Sequence, residues 1–105
     1  MDAVQDLIDT FVDQLPEASR RNAYGFPCYF VRNKVFGLYD GYALVLKFDD
    51  DTAEHLLSID VGKHFRHAST NSDLAWIRLN LNKVHSEEVL ETLIHQSYDF
   101  VLERS

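Results

Sequence analysis

Residues 24–48, YGFPCYFVRNKVFGLYDGYALVLKF, constrain the fold more than any other part of the chain. Here Tyr24, Phe26, Cys28 and Phe30 alternate with Gly25, Pro27, Tyr29 and Val31, the period of a β-strand, and neither set is polar. Such a strand is expected to be covered on both faces. Pro27 has no N–H to give a ladder, which favours an edge, a bulge or the beginning of regular pairing. VRNKV then reads as a tight polar connection in which Asn33 can take positive φ. Residues 35–39 make a second strand, and Asp40-Gly41 is a strong hairpin signal, predicting a type I′ turn with positive φ at both positions. Residues 42–48 form the third strand, with Tyr42, Leu44, Leu46 and Phe48 on one face and Lys47 on the other. An antiparallel meander results.

Helical periodicity flanks this meander. Val4, Leu7, Ile8, Phe11, Val12 and Leu15 form the stripe of an amphipathic helix that Pro16 ends. Asp2, Asp6, Asp9 and Asp13 lie clear of that stripe and are expected to give the helix a solvated negative face. After the meander, Asp51 and Glu54 fit a capping box for a short helix that buries Leu56, Leu57 and Ile59. Residues 62–73, GKHFRHASTNSD, read as a long polar loop. AWIRLNL resumes strict alternation, with Ala75, Ile77, Leu79 and Leu81 inward and Trp76, Arg78 and Asn80 opposite. Ser86 caps a last helix whose apolar stripe is Val89, Leu90, Leu93, Ile94, Tyr98 and Val101. The order predicts an α+β domain: N-terminal helix, antiparallel meander, short helix, further strand and C-terminal helix on one mainly antiparallel sheet.

A chain of 105 residues fits one domain around one core, spanning 1–105. Its net charge of −7 repels polyanions unless the bases gather on one face. No apolar run reaches the length of a membrane span, and the N-terminus lacks the features of a signal peptide, so a cytoplasmic protein without membrane contact is expected. The single Cys28 cannot form an internal disulfide.

GFPCYFVRNKVFGLY resembles the opening strands of MmcQ/YjbR-like proteins and of the related TfoX N-terminal domain. LVLKF before a capped helix, AWIRLNL with Trp76, and the closing IHQSYDFV, similar to the Ser-Tyr-x-x-Val ending of YjbR-like chains, agree in order. The TfoX-like Arg-x-Met-Phe-Gly-Gly is replaced by RNAYGF, which marks a divergent member closer to the YjbR-like side. The resemblance implies a compact, mostly bacterial cytoplasmic domain without a known cofactor. It also implies two functional analogies: regulation of competence, from TfoX proteins, and DNA binding through a double-wing shape, proposed for YjbR-like proteins.

Two sets of site residues follow from the residues themselves. Arg20, Arg21, Arg32 and Lys34 lie in an acid-free segment, residues 18–39, and with aromatic neighbours they could meet phosphates and bases. The same side chains would also serve to keep strand edges soluble and to pair with acids elsewhere in the chain. Seven of the thirteen aromatic residues lie between Tyr24 and Tyr42, so Tyr29 and Tyr39 are candidates for an interface with a partner protein or a second copy, against the alternative of core packing. His64 and His67 lack the spacing of a metal motif, even with His55, Asp60, Asp73 and His85 as further donors. Cys28, on an apolar strand face, reads as a packing residue, and Ser69, Thr70 and Ser72 as turn formers. No catalytic, cofactor or metal residue is therefore assigned. The expectation is a non-enzymatic domain that binds a protein partner or itself through the hairpin. The alternatives are a DNA-binding wing, which the net charge disfavours, and an enzyme or small-ligand pocket beneath residues 62–73.

Overall fold

The computed structural model describes residues 2–23, 25–65 and 75–104, with the side chain of Ala75 left aside. In chain order the elements are α1 (Ala3–Asp13), β1 (Ala18–Ala23), β2 (Phe26–Val31), β3 (Lys34–Tyr39), β4 (Leu44–Phe48), α2 (Asp50–Ser58), β5 (Gly62–His64), β6 (Ala75–Leu79) and α3 (Glu87–Glu103). A 3-10 turn, Leu81–Lys83, joins β6 to the last helix. The strands form one antiparallel sheet in the order β1-β2-β3-β4-β6-β5. The α+β class and the order of its predicted parts are as the periodicity required.

Two strands are additional. β1 was not separated from the hairpin because ASRRNA shows no apolar alternation. An edge strand needs only its backbone to pair, and four of these six side chains are exposed. β5 falls inside the segment read as a loop, and residues 66–73 of that segment lie outside the described residues.

All three helices lie against one face of the sheet. Ile8 and Val12 of α1, Ala53 and Leu56 of α2, and Leu90, Leu93, Ile94, Tyr98 and Val101 of α3 bury themselves with Val31, Phe36, Leu44, Leu46, Phe48, Ile77 and Leu79. On the opposite face Cys28, Phe30, Leu38, Val45 and Trp76 make a second buried cluster. The central strands are thus apolar on both sides, as the missing polar face of β2 demands. Pro27 precedes the β2–β3 ladder, which opens with Cys28 opposite Leu38.

Local chemistry differs from expectation at three points. The positive φ pair of a two-residue hairpin falls at Arg32 (49°) and Asn33 (66°), joining β2 to β3. Between β3 and β4 only Gly41 takes positive φ, and the connection has four residues. One oxygen of Asp40 accepts the N–H groups of both Tyr42 and Ala43, at 2.8 Å each, so a side chain organises the turn. Tyr42 consequently stands outside the strand, 85% exposed. In α2 the N-cap is Asp49 without a side-chain cap bond, rather than Asp51, and Ile59 is half exposed.

Near the middle of β3, the register shifts between Tyr29 and Phe30 of the neighbouring strand. Phe36 and Gly37 both pack toward the helices there, and a side chain at Gly37 would force its neighbours to shift. A Cβ built on it would lie 2.7 Å from Leu46 Cδ2 and 3.2 Å from the Val45 carbonyl. The β3–β4 register places Phe36 opposite Lys47, but the Ser97 hydroxyl of α3 occupies the space between them. It accepts the Lys47 N–H at 3.2 Å and donates to the Phe36 carbonyl at 2.9 Å. A helix side chain thereby completes a rung of the sheet.

Candidate functional site

The four bases grouped by the sequence do not converge. Arg20 and Arg21, adjacent on β1, point to opposite faces of the sheet. Arg20 reaches α1, where Nε and Nη2 bond the two carboxylate oxygens of Asp13 at 2.8 and 3.0 Å and Nη1 bonds Asp9 at 3.1 Å. Arg21 lies over the Phe30 ring, 3.8 Å from its centroid. Arg32 at the β2–β3 turn pairs with Glu17 at 2.8 Å, while Lys34 at the start of β3 is exposed. Three carboxylates therefore stand against the positive charge of this segment. Pairing with acids elsewhere is the alternative the sequence offers for these bases, and the structure identifies the acids as Asp9, Asp13 and Glu17, which lie before the segment in the chain.

Tyr29 and Tyr39 are core residues, 1% and 3% exposed, and present no surface to a partner in this conformation. Each donates its hydroxyl to an acid of α1: Tyr29 to Asp9 at 3.0 Å and Tyr39 to Asp2 at 2.8 Å. Burial, reinforced by the Asp9 charge, pushes the Tyr29 phenol far above its ordinary range. Burial and the bond to Asp2 push Tyr39 up to about 12. Asp9 and Asp13 accordingly do not belong to a purely solvated helix face: they fasten α1 to the sheet, and Asp2 also caps the helix through the N–H groups of Val4 and Gln5.

Cys28 is buried, which raises its thiol above the usual value. His64 is exposed on β5, and His67, Ser69, Thr70, Ser72 and Asp73 lie outside the described residues. Among the described residues no group of three potential donors clusters for a metal ion, and no helix is long and apolar enough to cross a membrane.

A groove that sequence reasoning missed lies between α2 and the first half of α3. It has a volume of ≈ 640 Å³, and its apolar lining comprises Leu56, Ile59, Val61, Val84, Val89 and Leu93. Ile59 and Val89 are 50% and 48% exposed, two of the four large apolar side chains left exposed among the described residues. Asp51 and His55 of α2 and Glu88 of α3 add polar atoms to its walls. The only advance signal was Val89, whose place at the edge of the α3 stripe leaves it beyond the sheet's reach.

On the other side of the sheet the charges have the opposite sign. Arg21, Lys47, Arg78 and Lys63 share the face on which, among the described residues, no helix packs: Lys47 lies over Trp76, Arg78 stands opposite Val45, and Lys63 stands opposite Arg78. Asp40 pairs with Arg78 at 3.0 Å. Helices α1, α2 and α3 contain acids and no Lys or Arg.

Comparison with known proteins agrees with this architecture. Among solved structures, the Deinococcus radiodurans protein DR2400, which carries a DUF419 domain, is similar over 96% of this chain and 79% of its own, with a TM-score of 0.76 at 21% identity. That likeness concerns the fold. No curated protein matches significantly. The YjbR family model matches residues 13–100, from the end of α1 through most of α3, and so takes in the whole sheet. The chain belongs to the YjbR family.

Proposed function

We propose that this YjbR domain is a non-enzymatic binding module whose protein partner docks in the groove between α2 and α3. One observation carries the reading: Ile59 and Val89 are each about half exposed and line the same apolar groove. Exposed apolar side chains gathered in a concave surface are a signature of binding sites, whereas isolated ones need no explanation. Tyr29 and Tyr39 then support the site at a distance, as part of the core on which the helices rest. Chemical-shift mapping with a panel of amphipathic helical peptides tests the reading. Perturbations should concentrate on the methyl groups of Ile59, Val89 and Leu93. Binding centred elsewhere, or by no peptide of the panel, would reject the groove.

A second reading, nucleic-acid binding, draws on the gathering of Arg21, Lys47, Lys63 and Arg78 on the face opposite the helices. It moves the contact away from Arg20, which two carboxylates hold, and Arg32, which Glu17 holds, to a face where Arg78 is itself paired with an acid, Asp40. Lys63→Ala with Arg78→Ala should reduce the slope of log affinity against log salt by roughly two for duplex DNA. An unchanged slope removes these residues from any such interface.

A further inference from the structure

Resting on the reading that the α2–α3 groove docks a partner protein, we propose that its occupant is a basic amphipathic helix of about three turns. The shape gives the length. α2 has nine residues, about 13 Å at a helical rise of 1.5 Å per residue. The wall supplied by α3 runs from Glu88 to Gln96, a similar span. An apolar trough between two short helical walls suits a third helix that places anchors at i, i+3 or i+4, and i+7.

Charge selects among such helices. Among the exposed acids of these helices, Asp51 on α2 and Glu88 on α3 line the groove, one on each wall. Both stand in first turns, where they also favour their own helix dipoles, and Asp50, Glu54, Glu87 and Glu91 on the same helices add to the negative field without lining the groove. The wall helices contain no Lys or Arg to offset them, their only basic side chains being His55 and His95, and Lys83 at the groove is already bound to Asp60. A ligand helix with Leu-like anchors and flanking Lys or Arg would therefore bury the trough and set a base beside Asp51 on one wall and Glu88 on the other. The same charges disfavour a second copy as the occupant, because each helix of this chain would bring further acids.

The test uses the full chain and two designed probes of three to four turns, one of Leu and Lys and one of Leu and Glu, followed by fluorescence anisotropy. The Leu/Lys probe should bind, and Val89→Glu should weaken it roughly tenfold or more. Asp51→Lys with Glu88→Lys should transfer the preference to the Leu/Glu probe. Asp6→Lys with Glu103→Lys, an equal change of charge at exposed sites outside the groove, should leave the preference as it was.

If Val89→Glu weakens binding but the unmodified chain takes both probes equally, the groove stands and the basic helix is overturned. Binding indifferent to Val89→Glu, equally sensitive to the outside pair, or absent for both probes overturns both readings. A concentration-dependent dimer that Val89→Glu dissociates overturns the choice of occupant in favour of a second copy. Valine 89 is about half exposed, so the variant should retain the native fold, which circular dichroism would verify.

Discussion

Replacing Ser97 by Ala probes the place where α3 repairs the sheet. The side chain is fully buried, and its single oxygen serves two backbone groups, the Lys47 N–H and the Phe36 carbonyl. Alanine removes one atom and leaves little cavity, so the cost comes from the stranded polar groups. Each buried unsatisfied donor or acceptor costs about 1–3 kcal/mol. Since the Lys47 amide is only partly buried, the expected loss is about 2–4 kcal/mol. A domain of this size has a total stability of roughly 5–15 kcal/mol, so the variant should fold but melt roughly 10–25 °C lower. Urea titration followed by Trp76 fluorescence gives the free energy. Ser58→Ala, which removes an exposed hydroxyl bonded to its own helix at His55, is the control and should cost less than about 0.5 kcal/mol. A loss below about 0.5 kcal/mol for Ser97→Ala as well would mean that Phe36 and Lys47 close their own rung, and the bridging argument would be wrong.

Other perturbations test separate parts of the scaffold. Gly37→Ala should destabilise by about 1–3 kcal/mol by chemical denaturation, because the new methyl meets the buried Leu46 and the Val45 carbonyl; a neutral effect would show that β3 and β4 shift freely there. Burial alone would raise Asp40, but the N–H groups of Ala43 and Tyr42 and the Arg78 guanidinium hold its carboxyl below 3.8. Its contribution is therefore full above the ordinary carboxylate value and is lost as pH falls through the depressed folded one, so acid melting curves of Asp40→Asn should be flatter below about pH 4. Spectrophotometric titration should leave Tyr39 protonated until about 12 and Tyr29 protonated beyond it, provided the fold survives. Cys28 should react with a thiol reagent at neutral pH only on the timescale of unfolding; rapid stoichiometric labelling of the native protein would contradict its burial.

The α+β class was legible because the meander and the two long amphipathic helices carry periodicities of two and 3.6 that tertiary packing reinforces. β1 and β5 were not, because edge strands whose side chains meet solvent need no such pattern. The type I′ signal of Asp40-Gly41 lost to the Asp40 carboxylate, which captures two amides and lengthens the turn. Three consecutive acids, Asp49, Asp50 and Asp51, could each cap α2, so its start was ambiguous by two residues. At the candidate site, composition favoured core packing for most of the hairpin's rings without saying which, and the burial of Tyr29 and Tyr39 with their bonds to Asp9 and Asp2 near the N-terminus places these two in the core. The groove was illegible because Ile59 and Val89 meet only after α2 and α3 have packed. The Ser-Tyr-x-x-Val ending now has a structural meaning. Ser97 bridges the strands, the Tyr98 hydroxyl donates to the Pro16 carbonyl at 2.7 Å, and Val101 enters the core.

Strand order also sets an order of events for the chain as it folds. β1, β2, β3 and β4 are successive neighbours joined by short connections, so each pairing closes a small loop at low entropic cost and can form as a local zipper. β6 must instead return to β4 across α2, β5 and residues 65–74, and it then lies between β4 and β5. The β5 edge has no strand partner in the sheet until β6 arrives. The N-terminal four strands thus supply an early template, while the far half of the sheet, on which α2 rests, is committed by one long-range docking step. Mutations at the β4–β6 seam, such as at Leu46 or Ile77, should accordingly alter folding speed if that closure belongs to the rate-limiting barrier, and unfolding speed if it follows it.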